Sequence, residues 1–196
     1  MQITQSSIVN EKTIAGTKAE QVAIAQENAN TKEADKVSLT NKGTIRLTGN
    51  KSTGIYGKRG ILLNESTGKI SVGEESAAMY LKNNAGEGAG TVINETPNGK
   101  IDLDVKSTVG IFVDKATGKN KNIINVKKEN SAGMYGSNDS EITNKKNIVI
   151  SSEDSAGMYA SDSNATNDEN AKITINGSSG ATSGSAGMYG KLSKAS

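Results

Sequence analysis

The chain has 196 residues, with 23 basic and 21 acidic side chains and a formal net charge of +2. That balance gives no electrostatic case for a nucleic-acid partner or an anionic membrane surface. The chain has no His and no Cys, which excludes histidine acid–base chemistry, Ser-His-Asp and Cys-His nucleophiles, thiolate metal sites and disulfides.

Hydrophobic residues make up 33% and aromatics 3%, with one Phe, one Pro and 22 Gly. A thick aromatic core of the kind an ordinary globular enzyme uses is therefore out of reach, and composition alone would permit disorder. No apolar run approaches the roughly 18 residues of a membrane helix. The opening Met1-Gln2-Ile3-Thr4 runs straight into polar sequence, so no signal peptide is visible.

An internal repeat decides the architecture. In chain order, the first copy pairs Ile8 with Asn10, then Ile14 with Gly16, then ends in the degenerate phrase Gln21 to Ala25 (QVAIA). After an insertion at 26–37, the second runs Leu39/Asn41, Ile45/Leu47 and Ser52 to Gly57 (STGIYG). The third runs Leu62/Asn64, Ile70/Val72 and Ser76 to Leu81 (SAAMYL), followed by an insertion at 82–90. The fourth and fifth are Val92/Asn94, Ile101/Leu103, Thr108 to Val113 (TVGIFV), then Asn120, Ile124/Val126, Ser131 to Gly136 (SAGMYG). The sixth is Ile142/Asn144, Ile148/Ile150 and Ser155 to Ala160 (SAGMYA). The seventh is Ala165/Asn167, Ile173/Ile175, a bulge at 177–184, and Ser185 to Gly190 (SAGMYG).

The offsets hold from copy to copy. Asn144 to Ile148, Ile148 to Tyr159 and Tyr159 to Asn167 are steps of 4, 11 and 8, a rung of 23 residues. Each sub-phrase alternates apolar and polar residues, the period of a strand with one buried face. Three such strands per rung, separated by Gly/Asn/Ser/Lys turns, predict an all-β parallel β-helix of about seven coils. Stacked at about 4.8 Å, seven coils span roughly 33 Å and bury a thin continuous core that no coil could bury alone. The segment 1–196 is then a single β-helix, expected to be a fragment of a longer array and monomeric.

Two columns stand out. Asn10, Asn41, Asn64, Asn94, Asn120, Asn144 and Asn167 fall where one strand bends into the next. Asn tolerates the left-handed region there, and stacked amides can hydrogen-bond along the axis, so this column reads as an internal corner ladder. Alternation in Ser131 to Gly136 puts Ala132, Met134 and Gly136 inside. It puts Tyr56, Tyr80, Phe112, Tyr135, Tyr159 and Tyr189 outside, beside a flat stripe of Gly54, Ala78, Gly110, Gly133, Gly157 and Gly187. This aromatic column is the candidate binding surface, able to stack on sugars or clasp a protein. Its other role is cross-strand aromatic pairing that holds the sheet together. The insertions at 26–37 and 82–90 share a corner and are the rival binding site.

Chemistry is otherwise sparse. Asp102 and Asp104 flank Leu103 and point outward, and Lys127 is placed for an axial ion pair with Asp104. As a polysaccharide-cleaving pair they would need a companion base and a sugar-gripping Arg or His. The only arginines are Arg46 and Arg59. Gly86 to Gly90 lacks the Lys-Ser/Thr of a phosphate loop, and no calcium-roll repeat is present. No catalytic residue, metal or cofactor is expected.

Asn41 to Leu47 (NKGTIRL) followed by Ser52 to Gly57, and Asn144 to Ile150 (NKKNIVI) followed by Ser155 to Ala160, resemble the passenger repeats of large type V autotransporter adhesins, notably those of fusobacteria. The resemblance implies a β-helical passenger carried by an outer-membrane barrel and displayed on the cell surface. It implies partners among host-cell or bacterial surface proteins or glycans. It carries no binding residues, because the matching phrases are scaffold. A pure structural spacer and a polysaccharide-acting β-helix enzyme are the alternatives.

Overall fold

Strands of four to seven residues with one apolar face can hide that face only by stacking on neighbours. The computed structural model, which describes residues 7–26, 37–83, 90–97, 100–176 and 184–192, does so in 21 strands and three parallel sheets of seven. Sheet A stacks β1 (Ser7–Asn10), β4 (Ser38–Asn41), β7 (Ile61–Ser66), β10 (Thr91–Pro97), β13 (Thr117–Asn120), β16 (Glu141–Asn144) and β19 (Asn164–Asn167). Sheet B stacks β2 (Thr13–Gly16), β5 (Thr44–Leu47), β8 (Lys69–Val72), β11 (Lys100–Leu103), β14 (Ile123–Val126), β17 (Asn147–Ile150) and β20 (Lys172–Ile175). Sheet C stacks β3 (Val22–Gln26), β6 (Thr53–Gly57), β9 (Ala77–Lys82), β12 (Val109–Asp114), β15 (Ala132–Ser137), β18 (Ala156–Ser161) and β21 (Ala186–Lys191). Three strands make one coil, and seven coils make a parallel β-helix, as the repeat predicts.

Register follows the repeat residue by residue. Asn94 pairs with Asn120 and Asn64, Ile124 with Ile101 and Ile148, and Tyr135 with Phe112 and Tyr159. The core is a column of such equivalents. Leu39, Leu62, Val92 and Ile142 come from sheet A, Ile45, Ile70, Ile101, Ile124 and Ile148 from sheet B, and Ile55, Met79, Ile111, Met134 and Met158 from sheet C, all buried. Each contributes about 1.5–3 kcal/mol of apolar burial. At the terminal coils the same columns open: Ile8 is 49% exposed and Met188 46%.

Two sequence expectations need correcting. The first concerns the Gly54–Gly187 stripe, which lies inside. Ala78, a member of that column, is fully buried. A Cβ on Gly133 would sit 2.7 Å from the Gly157 carbonyl oxygen and 2.9 Å from Ile148 Cγ2. Strict alternation fails here because Gly133 and Met134 both face inward. The β12–β15 pairing passes from Val109–Ala132 to Ile111–Met134 without the intervening glycines, so the strand bends at this point. The row beside the rings is one residue earlier: Thr53, Val109, Ala132 and Ala186 are partly exposed in it, and Ala77 and Ala156 are nearly covered.

The second concerns the left-handed residues. None of the asparagine column is among the described non-glycine residues with positive φ. The left-handed positions are instead Glu20, Lys51, Glu75, Ser107, Asn130 and Asp154, at the corner from sheet B to sheet C, and Lys115, Asn138, Asp139 and Asp162, at the corner from sheet C to sheet A. The insertions at 26–37, 82–90 and 177–184 lie outside the described residues except at their flanks. Those flanks rejoin the ladder: Ile61 N donates to Val37 O at 3.0 Å, and Thr117 N to Gly90 O at 3.0 Å.

The inward glycine stripe makes a prediction. Gly133→Ala should lower stability by about 1–3 kcal/mol through overpacking. Gly190→Ala, whose Cβ would meet nothing within 4 Å, should not. Chemical denaturation of both variants checks this, and equal stabilities would place the stripe outside.

Candidate functional site: the aromatic sheet and its groove

Five of the seven column asparagines end their sheet A strands, and Asn64 and Asn94 stand at the equivalent position inside the longer β7 and β10, before the chain turns into sheet B. Asn10 donates through Nδ2 to Asn41 Oδ1 at 2.8 Å, and the bond repeats from Asn41 to Asn64, Asn94, Asn120, Asn144 and Asn167 at 2.8–2.9 Å. The second amide proton goes to a carbonyl of its own turn, as from Asn120 to Asn122 O at 2.9 Å. Asn41 to Asn144 are fully buried. With each interior amide occupied by its neighbours, this column holds the scaffold and presents nothing to a ligand.

Sequence reading missed a second corner ladder. The hydroxyl opening each aromatic phrase is turned inward. Ser52 N donates to Ser76 Oγ at 2.8 Å, Thr108 N to Ser131 Oγ at 3.1 Å, and Ser131 N to Ser155 Oγ at 3.2 Å. The hydroxyls pass their own protons to main-chain carbonyls, Ser76 to Glu74 O and Ser155 to Glu153 O, both at 2.9 Å. The signal was available: a Ser or Thr opens six of the seven phrases.

Tyr56, Tyr80, Phe112, Tyr135 and Tyr159 stand half-exposed on the outside of sheet C, and Tyr189 is 51% exposed. The structure brings all six together in one line. Tyr80, Phe112 and Tyr135 stack with centroids 4.6 and 4.7 Å apart and planes within 6° and 11°. Tyr56 meets Tyr80 edge-on at 5.5 Å. The stack breaks again at Tyr135–Tyr159, where the rings are 4.9 Å apart and 88° to one another. Tyr159 and Tyr189 then lie within 25° of each other at 5.1 Å. Burial first, then Asp114 and Tyr56, push the Tyr80 hydroxyl above its ordinary value. Burial and then Tyr159 do so for Tyr135, against a hydrogen bond with Ser161. Both phenols are therefore neutral at physiological pH.

Beside the second break lies an open groove of about 540 Å³. Val109, Ala132, Ala156 and Ala186 form its floor, and Tyr135, Tyr159 and Tyr189 form one wall. The left-handed corner residues Ser107, Asn130 and Asp154 form the other. Asp154 accepts from Gly184 N at 3.2 Å.

On sheet B, Asp102 and Asp104 face outward in a charge network. Lys127 Nζ is 2.8 Å from Asp104 and 3.2 Å from Asp102, Lys100 Nζ is 3.1 Å from Asp102, and Asn125 Nδ2 donates to Asp102 at 2.7 Å. Burial alone would raise the Asp102 carboxyl, but Asn125, Lys100 and Lys127 outweigh it and hold it below its ordinary value. Asp104 pulls Lys127 upward. This network is filled from within the protein. No group of three or more acidic side chains converges to hold a metal ion among the described residues.

Comparison with known proteins fits this geometry. The family model of the BigA third pectate lyase-like domain matches residues 2–194. The chain belongs to that family. BigA-type domains are β-helix passenger domains of bacterial surface proteins with a pectate lyase-like fold. Comparisons with curated proteins and with solved structures returned no match.

Two predictions follow from the two ladders of charge and amide. Asn120→Asp would set a carboxylate against Asn144 Oδ1 and Asn122 O. At neutral pH that should cost on the order of 3 kcal/mol or more. The deficit should shrink at pH 3, where a protonated acid can donate to Asn144; an equal deficit at both values would contradict the ladder. Asp102, with its folded pKa depressed, stabilises the fold above its unfolded pKa of about 3.9 and loses that contribution as pH falls through the folded value. Asp102→Asn should therefore melt lower than wild type at pH 6, with the gap closing below pH 3.

Proposed function

We propose that this chain is a non-catalytic segment of a bacterial surface passenger that attaches to host cells or other bacteria through the outer face of sheet C. The supporting observation is the groove at the second break in the aromatic column. It gathers an apolar floor, tyrosine rings and a polar rim on one exposed face, an arrangement suited to recognition. Among the described residues that line it there is no pair of carboxylates and no base beside an activated nucleophile. The resemblance to fusobacterial autotransporter repeats supports the same reading. It carries with it display outside the outer membrane, a barrel elsewhere in the longer polypeptide, and a surface protein or glycan as receptor.

Beads coated with the chain should bind host or bacterial cells, and Ala132→Gln, which fills the groove from its floor, should reduce capture at least fivefold without changing the melting temperature. Replacing the insertions at 26–37 and 82–90 by the short turn of the other coils should leave capture intact. If wild-type beads capture no cells, the attachment reading fails and the coils act as a spacer.

A further inference from the structure

We infer that the groove on sheet C binds an uncharged, linear hexose oligosaccharide lying along the solenoid axis. This rests on the attachment reading and specifies its ligand.

The first argument is ring orientation. Strands repeat at about 4.8 Å, whereas ring faces touch at about 3.5–4.0 Å, so parallel rings on neighbouring strands lean roughly 40° to meet. Tyr80, Phe112 and Tyr135 do this, and each covers its neighbour's face. The faces shared within this stack are closed to a ligand. Tyr159 is turned 88° from Tyr135, so its normal points about 50° or more away from the axis. Tyr189 follows it within 25°. Both line the groove. The groove thus sits at the break between two stacks, Tyr80–Phe112–Tyr135 and Tyr159–Tyr189, and the second stack turns its ring faces further off the axis. An aromatic face beside small apolar side chains suits the C–H face of a pyranose.

The second argument is charge. Among the described residues lining the groove, Asp154 is the sole charged side chain. Asp114 and Asp162 also act on the neighbouring Tyr135. A polyuronate such as pectate would bring carboxylates into a site that already holds negative charge and lines its walls with no cation, and would be repelled. The neutral rim of Ser107 and Asn130 supplies hydroxyl and amide groups for sugar hydroxyls instead.

The third argument is length. Val109, Ala132, Ala156 and Ala186 occupy successive coils, so the floor runs over three steps, roughly 14 Å. That accommodates about three pyranose rings, and 540 Å³ is the volume of a site for a ligand of that size.

The test is calorimetric titration of the intact chain with neutral hexaoses (β-1,4-glucan, β-1,4-mannan, α-1,4-glucan and β-1,4-galactan) and with hexagalacturonate. At least one neutral hexaose should bind, and hexagalacturonate should not. Tyr159→Ala should weaken that binding by about tenfold, while Tyr159→Phe, which keeps the ring face, should retain it. Ala132→Gln should block it with the fold preserved, and Tyr80→Ala, in the closed stack, should not. The inference is overturned if no neutral hexaose binds, if hexagalacturonate binds as well as they do, or if Tyr80→Ala is as damaging as Tyr159→Ala. Bead capture of cells separates the two levels. Capture that Ala132→Gln abolishes but no neutral sugar inhibits would keep attachment and refute the sugar. Absence of capture by wild-type beads with sugar binding intact would do the reverse.

Discussion

A buried side-chain amide carries two donors and an acceptor and must satisfy them or forfeit the desolvation cost. Stacking identical asparagines one strand spacing apart solves this for the whole column at once. Each Nδ2 reaches the next Oδ1 at 2.8–2.9 Å, and the remaining proton returns to the local turn. The solution holds only if strands are parallel and in register, since a slip of one residue would bring a non-amide side chain into the corner and leave two amides unpaired. Register in sheets B and C follows because each coil enters sheet B from that corner. At the next bend hydroxyls tie coils in a related way, accepting from the backbone N–H of the preceding coil at Ser52–Ser76, Thr108–Ser131 and Ser131–Ser155.

Much of this could be read from the chain. The fixed spacing from Asn144 through Ile148 to Tyr159 set the coil, the three strands and the register, because a solenoid maps a linear offset onto a place in the cross-section. What escaped the reading lay where chemistry varies or geometry departs from the strand period. The left-handed corner holds Glu20, Lys51, Glu75, Ser107, Asn130 and Asp154, residue types with no shared signature. The glycine stripe was placed on the wrong face because alternation assumes a straight strand, and sheet C bends at Gly133. Ring order along the aromatic column follows from spacing, but the turn of Tyr159 away from Tyr135 does not, since χ angles leave no trace in a repeat. The groove is a product of that turn together with the alanine-rich row beside the rings.

The faces of the prism divide their work by charge as well as by shape. Sheet B carries an outer network of Lys100, Asp102, Asp104, Asn125 and Lys127. The asparagine corner carries axial pairs such as Lys121–Glu95 and Lys145–Asp168. Each such exposed pair adds little on its own, but together they keep those faces hydrated and locally balanced. Sheet C has the rings and the small residues instead, and it is the face that carries the groove.

The asparagine ladder also has a direction. All six bonds run from Nδ2 of one coil to Oδ1 of the following coil, so the amides line up head to tail and polarise one another. One end of the column shows an oxygen, at Asn10, and the other an N–H group, at Asn167. A coil stacked in the reverse sense would set donor against donor or oxygen against oxygen. Whole coils can therefore be added to or removed from the interior without leaving an amide unpaired, whatever their loop length, since successive column asparagines lie 23 to 31 residues apart and still pair. The length of such a protein is in effect quantised, and its evolution can count in coils.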